Sequence, residues 1–345
     1  MIYDVESLFN FKFYKKDGSF IISFAPLLIF PFLYLKFNIE KLLKAFLIFA
    51  VSVYTLLFLY FSMNKVSVLS SFRGLFDAHN AAGGFLSFLT GICFVFWRKN
   101  KSYKYFFAFL LCVFMLLQTQ SRGSLLGLIL GIVFFYFWRQ RLMLFTKIII
   151  FSIIAVQVSI LIYSYPIYKK YNIGQGTSIY EYIYTIDKSV DGKTANIYIR
   201  AFDNWPKGLE LFFNSPILGT GFGSLNDTPY DLKGVPGLFS YNAKQGKVFD
   251  SAHAHHSYIH VLGEQGLLGF FALLAIMVCM YNFIVNNKQN QVVQSILFIS
   301  FFNLVIMSFT ENRFTSPSNA LPFVILLCLY IIYVNGSKKE LALNG

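Results

Sequence analysis

The chain has 345 residues, of which 56% are hydrophobic, 19% aromatic and only 13% charged. Soluble domains keep about a quarter of their residues charged. Here the apolar residues are gathered into long charge-free runs of membrane-crossing length, which excludes a water-soluble globular domain. The net charge is +13, from 29 Lys and Arg against 16 Asp and Glu. In a soluble protein that surplus would point to nucleic acid. In a membrane protein it belongs to cytoplasmic loops, and no nucleic-acid partner is expected.

In chain order the runs predict an all-α polytopic membrane protein. Residues 1–19 are mixed polar and aromatic, with no signal peptide, and form a tail. Nine spans follow, at 20–35, 45–62, 81–97, 105–119, 123–138, 148–165, 265–285, 291–309 and 319–335. The first is the shortest and holds Pro26 and Pro31, which a kinked span tolerates. Six spans thus occupy 20–165 and three occupy 265–335, with a tail at 336–345. Cys93, Cys112, Cys279 and Cys328 all lie inside apolar runs and read as small core residues.

One set of connectors holds Lys36, Lys41 and Lys44; Arg98, Lys99, Lys101 and Lys104; Arg139, Arg141 and Lys147; Lys288; and the tail residues Lys338 and Lys339. The opposite set holds Lys65, Arg73, Arg122 and Arg313. The positive-inside rule puts the first set in the cytoplasm. The 166–264 segment then lies outside, and so does the N-terminal tail, despite Lys12, Lys15 and Lys16. That segment is too long for a simple connector. It opens Tyr-rich, predicts an amphipathic helix around 196–213, and continues into the turn-rich run Asn214-Ser215-Pro216-Ile217-Leu218-Gly219-Thr220-Gly221-Phe222-Gly223.

The unusual residues collect on the external face. Arg122 stands at the mouth of the fifth span, where an arginine is either a functional group or an interfacial anchor. Four of the five histidines fall in Ser251-Ala252-His253-Ala254-His255-His256-Ser257-Tyr258-Ile259-His260. His253 and His255 alternate and could present a general base. His256 and His260, four apart, could share a helical face as metal ligands, although Ser257 stands where a zinc protease has its glutamate. A plain polar cluster at the interface is the third alternative, and the base is the preferred reading. Arg200 lies on the predicted external helix with Trp205, Leu209, Phe212 and Phe213. Glu311 and Arg313 concentrate charge in the last external connector, as anchors or as groups that orient a catalytic side chain. Asp77, His79 and Arg73 form a weaker cluster of the same kind.

No phosphate-binding Gly-rich loop and no paired carboxylates are present in the sequence. Outward-facing arginines and a histidine suit a donor that is already activated as a lipid diphosphate. Arginine's planar fork recognises phosphate. Cationic groups stabilise the leaving group, and a base takes the proton of an acceptor hydroxyl.

These residues resemble the O-antigen ligase and O-antigen polymerase superfamily of envelope glycosyltransferases. The resemblance rests on Gln120-Ser121-Arg122-Gly123, Arg200, Asn214-Ser215-Pro216-Ile217-Leu218-Gly219-Thr220-Gly221, His253-Ala254-His255-His256-Ser257-Tyr258 with Glu264, Gly266 and Gly269, and Thr310-Glu311-Asn312-Arg313. It covers about 120 to 335. It implies that Arg122 and Arg200 contact the undecaprenyl diphosphate of the donor and that His255 activates the acceptor. His253, His256, Glu311 and Arg313 are the further substrate-binding candidates. No cofactor and no metal are implied. The partners implied are an undecaprenyl-diphosphate-linked glycan donor, a lipid A-core or lipid-linked glycan acceptor, and membrane lipid. The sequence departs from the pattern in two places: His256 follows the key histidine where Asn, Ser or Gln is usual, and the Arg200–Pro216 stretch is one residue longer, with Pro206 as the insertion. The superfamily has about a dozen helices, so three upstream helices are expected to precede the nine. The preferred activity is glycan ligation onto lipid A-core. A polymerase shares the donor chemistry, and a lipid or polysaccharide flippase is the alternative of another class.

Overall fold

The computed structural model describes residues 23–35, 37–64, 71–76, 78–170, 200–221, 224–225, 254–314 and 316–344. Among them every regular element is helical: α1 Pro26–Ile29, a 3-10 turn Phe30–Phe32, α2 Ile39–Met63, α3 His79–Asn100, α4 Tyr103–Gln118, α5 Arg122–Arg139, α6 Met143–Lys170, a π turn Arg200–Asn204, α7 Trp205–Asn214, α8 Ser257–Asn286, α9 Gln291–Met307 and α10 Pro317–Asn344. Six of these, α2, α3, α5, α6, α8 and α10, are long and apolar enough to cross a membrane, and α4 and α9 are shorter apolar helices. The protein is therefore a multi-pass membrane protein.

Eight of the nine expected spans coincide with a helix. The first, 20–35, is described only from Ser23: Ser23 and Phe24 are helical, Ala25 keeps helical backbone angles, and α1 and the 3-10 turn follow before an extended stretch from Leu33. Pro26 and Pro31 each stand in the first turn of one of these short elements, where the missing N–H costs nothing. Of the four cysteines, Cys93, Cys112 and Cys328 are buried, whereas Cys279 is exposed on the apolar face of α8.

The chain divides into two compact units. The larger holds 19–143, 276–308 and 313–345. In lipid the hydrophobic effect does not draw helices together, so close contact depends on small residues and polar links. Both are present. A side-chain carbon added at Gly127 or Gly131 of α5 would lie 2.8 Å from the carbonyl oxygen of Asn303 or Ile299 on α9. Asn303 donates to Ser87 on α3 at 2.8 Å. Helix starts are capped by side chains: Asn38 accepts from Lys41 N, and Asn290 from Val292 N and Val293 N.

The smaller unit holds 144–275 and 309–312 along with 1–18. Here α7 crosses the first turns of α8 at two glycines. A side-chain carbon on Gly263 would stand 2.8 Å from the Gly208 carbonyl, and one on Gly208 would stand 2.6 Å from an Ile259 methyl. Trp205, Leu225, Ala254 and Ile259 form a buried cluster, with Ile160, Leu161 and Leu211 against it.

Candidate active site

Three pieces of the smaller unit build the site: the π turn before α7, the residues leading into α8, and the segment 309–312. Glu311 is its hub. Its Oε1 accepts a hydrogen bond from Arg200 Nη2 at 2.6 Å, and its Oε2 lies 2.8 Å from His255 Nδ1. Arg200 Nη1 donates to the Thr310 carbonyl at 2.7 Å. The Glu311 side chain is 13% exposed, Arg200 20% and His255 37%, so the carboxylate and the guanidinium are the more withdrawn groups. A carboxylate only accepts, which assigns a hydrogen to Nδ1.

The backbone that presents His255 is strained. Its φ of +48° lies in the left-handed region, which costs a residue with a Cβ about 1–2 kcal/mol. The connector holds it there: Asn312 Oδ1 accepts from His256 N at 3.1 Å, and Ser257 Oγ donates to the Glu311 carbonyl at 3.0 Å. Gln120, just before Ser121-Arg122, is a second non-glycine residue in that region, with φ +58°. Such outliers cluster at functional sites.

His256 is enclosed and fully committed. Its Nδ1 accepts from Ile259 N at 3.2 Å, so its Nε2 carries the hydrogen and donates to Gln157 Oε1 at 3.1 Å. The Trp205 ring stands edge-on to it at 5.3 Å. Burial disfavours its charged form and drops its pKa from 6.5 to about 3. With both ring nitrogens occupied, His256 offers nothing to a metal shared with His260. His260 and Glu264, each 1% exposed, lie one turn apart on α8, with 3.2 Å between Nε2 and Oε2 in a poorly aligned approach. Glu264 Oε1 accepts from Leu225 N at 3.2 Å.

The glycine-rich motifs dock on each other. Gly266 interrupts α8 with φ +62° and ψ −162°. Through that break Leu267 N and Leu268 N donate to the carbonyls of Pro216 and Ile217, and Gly221 N donates to that of Glu264. Gly219, at φ +74°, fits where an added carbon would come within 2.2 Å of the Glu264 carbonyl oxygen. These glycines fix the docking of the 214–221 turn on α8. The additional residue in the Arg200–Pro216 stretch meets the π turn Arg200–Asn204, a winding that takes up one residue more than an α turn. Arg200 thereby still reaches Glu311.

Arg122 and Arg313 belong to the larger unit. Arg122 is the exposed first residue of α5. Arg313 is 2% exposed and donates to the Asn80 carbonyl at 2.7 Å and to Asn319 Oδ1 at 2.9 Å. Ser124 Oγ lies 3.5 Å from its Nη2 and 2.8 Å from Ser121 Oγ, the residue preceding Arg122. His253 and Asp77 lie outside the described residues. His79 opens α3 and Arg73 is exposed. Sequence reasoning assigned no role to Gln157 or Asn312. The first carried a signal, since it is the one amide in the 28-residue apolar helix α6. It bridges His256 and the Phe309 carbonyl, the latter at 3.0 Å.

Fold and site together define a multi-pass membrane protein in which a histidine and an arginine share one carboxylate. Residues 107–274 match the family model described as O-antigen ligase, a stretch that contains Arg122, Arg200 and His255. That match supports the O-antigen ligase and polymerase superfamily, whose members are membrane glycosyltransferase-like enzymes acting on lipid-linked glycans. No curated protein matches the chain.

Proposed function

We propose that the protein is a ligase-type glycosyltransferase of the bacterial inner membrane, moving a glycan from undecaprenyl diphosphate to a hydroxyl of lipid A-core on the periplasmic side. The observation that carries this reading is the Arg200–Glu311–His255 relay. The acceptor oxygen attacks the anomeric carbon of the donor sugar as its proton passes to His255 Nε2. The bond from that carbon to the phosphate oxygen breaks, and the diphosphate leaves with the electron pair. Glu311 holds the imidazole in the tautomer that receives the proton and faces the charge that builds on the ring. Arg122 and Arg200 supply positive charge for the leaving diphosphate. Arg122 does so from a helix start, whose N–H groups also favour an anion. Arg313 supports the site by fixing the start of α5. His253 is a candidate substrate contact, and His256 acts as a neutral structural donor. No metal and no nucleotide take part.

The test is envelope glycan profiling in a strain lacking this gene, complemented with wild type, Arg122→Ala or His255→Ala. Ligation predicts that lipid A-core loses its glycan while long chains accumulate on undecaprenyl diphosphate in the deletion and in both variants. Single repeat units accumulating instead mark a polymerase. If both variants match wild type at normal protein levels, the transferase reading fails and a flippase replaces it.

A further inference from the structure

The segment around α7 carries apolar side chains that the protein leaves uncovered: Phe213 is 56% exposed, Ile217 68% and Leu218 47%. In water such a patch would be a liability. Its neighbours in the same unit fix the depth at which it sits.

The end of α6 has the composition of a membrane–water interface, with Tyr163, Tyr165 and Tyr168 followed by Lys169 and Lys170. Glu210 of α7 accepts from Tyr168 Oη at 2.9 Å and pairs with Lys169, which places this turn of α7 at the interface. Three residues further on, Phe213 packs edge-on against Tyr165, with ring centroids 5.6 Å apart. At 1.5 Å per residue, Tyr165 lies about 4.5 Å nearer the bilayer centre than Tyr168. Helix α7 therefore descends from Glu210 towards Phe213.

The turn that follows is tied to α8 by Leu267 N donating to Pro216 O and Leu268 N donating to Ile217 O. The break at Gly266 leaves Leu267–Asn286, about 30 Å of helix and as long as the hydrocarbon layer is thick, so the turns before Gly266 project from the bilayer. His260 and Glu264 precede Gly266, and the apolar run begins at Leu267. Leu268 and Phe271, 65% and 61% exposed, start its lipid-facing surface. Ile217 is thus held level with the first lipid-facing turn of a membrane-spanning helix.

We infer that α7 and the turn after it are seated in the bilayer itself, with Phe213, Ile217 and Leu218 among the acyl chains of the leaflet on that side. The occupant of this apolar face is lipid. The patch is continuous with the lipid-facing surface of α8, and Glu210 and the lysines stop it from sinking further. The segment that carries Arg200 at its head is then anchored at the surface where a lipid-borne substrate would present its polar group.

The experiment uses the full chain in vesicles of phosphatidylcholine and phosphatidylglycerol, with its four cysteines replaced by serine. Spin labels are placed singly at positions 217 and 218, at 268 and 271 as lipid references, and at 101, in a helix connector, as an aqueous reference. Collision rates with oxygen and with a neutral nickel chelate are then compared. The expected result is an oxygen-to-nickel ratio at 217 and 218 that matches 268 and 271 and exceeds position 101 severalfold. A ratio equal to that of position 101 would place the turn in water and overturn the proposal. Exclusion of both probes at 217 and 218 would also overturn it, because a second copy or another protein would then cover the face. Positions 217 and 218 are exposed, so labelling them removes no core packing, and each labelled protein is checked for monodispersity before measurement.

Discussion

An imidazole that is to receive a proton must be held in one tautomer and stay within reach of a substrate, and the two adjacent histidines divide on that requirement. His255 meets it, with a carboxylate on Nδ1 and a side chain 37% exposed. His256 does not, since both its nitrogens are bonded inside the protein. Glu311→Ala is expected to lower kcat for glycan transfer by about 10²–10⁴-fold, in the range of a lost general base. Because the two groups act as one unit, the double variant His255→Ala/Glu311→Ala should be no slower than His255→Ala alone. Multiplying losses in a purified transfer assay would separate the two residues and refute the relay. His256 adds an acid sensitivity to the fold. Its folded pKa of about 3 lies below the unfolded value of 6.5, so the unfolded chain takes up the proton first. Its contribution to stability is intact above pH 6.5 and is lost as pH falls towards 3, by about 1.4 kcal/mol per pH unit. His256→Gln, which never charges, should flatten the acid side of the melting-temperature profile of the detergent-solubilised protein. An unchanged slope would show that His256 is not the group responsible.

At the scale of elements, the docking of the 214–221 turn on the break in α8 is the structural core of the smaller unit. Gly219→Ala and Gly266→Ala each put a carbon against backbone atoms, 2.2 Å and 2.5 Å away, at a φ that side chains avoid. Backbone cannot yield as a side chain can. Each change is expected to destabilise by more than about 2 kcal/mol, which thermal unfolding in detergent measures. Gly91→Ala is the control: its added carbon meets only an Ile299 methyl at 3.3 Å inside α3, and its effect should stay within about 1 kcal/mol. Similar losses in all three variants would mean that the glycine motifs are not special in this fold.

At the scale of the whole molecule, the basic connectors carry the orientation. A cysteine at Lys101, in a cysteine-free background, should react with a membrane-impermeant maleimide only after the cytoplasmic face is opened. A cysteine at Arg122 should react in intact spheroplasts. The reverse pattern would invert the topology and remove the site from the side where lipid-linked glycans await transfer. The lipid-immersed turn belongs to this scale too, since its depth is set by α6 and α8 together.

The sequence by itself determined the membrane class, the positions of eight helices, the family and the chemical types at the site. Each of these is written locally: a bilayer demands uninterrupted apolar runs of fixed length, and a motif is a set of neighbours in the chain. In the first span two prolines divide the described residues into short helical pieces, the kinked form that the sequence allows. Which side chains meet was decided by the tertiary structure. Arg200 and Glu311 are 111 residues apart in the chain, and His255 and Glu311 are 56 apart. Glu311 and Arg313 stand two residues apart in a connector without helical or strand period, and they go to different partners, Glu311 to Arg200 and His255, Arg313 to Asn80 and Asn319. In such a connector the direction of each side chain follows from backbone angles that the surrounding helices impose, and no spacing rule in the sequence records them.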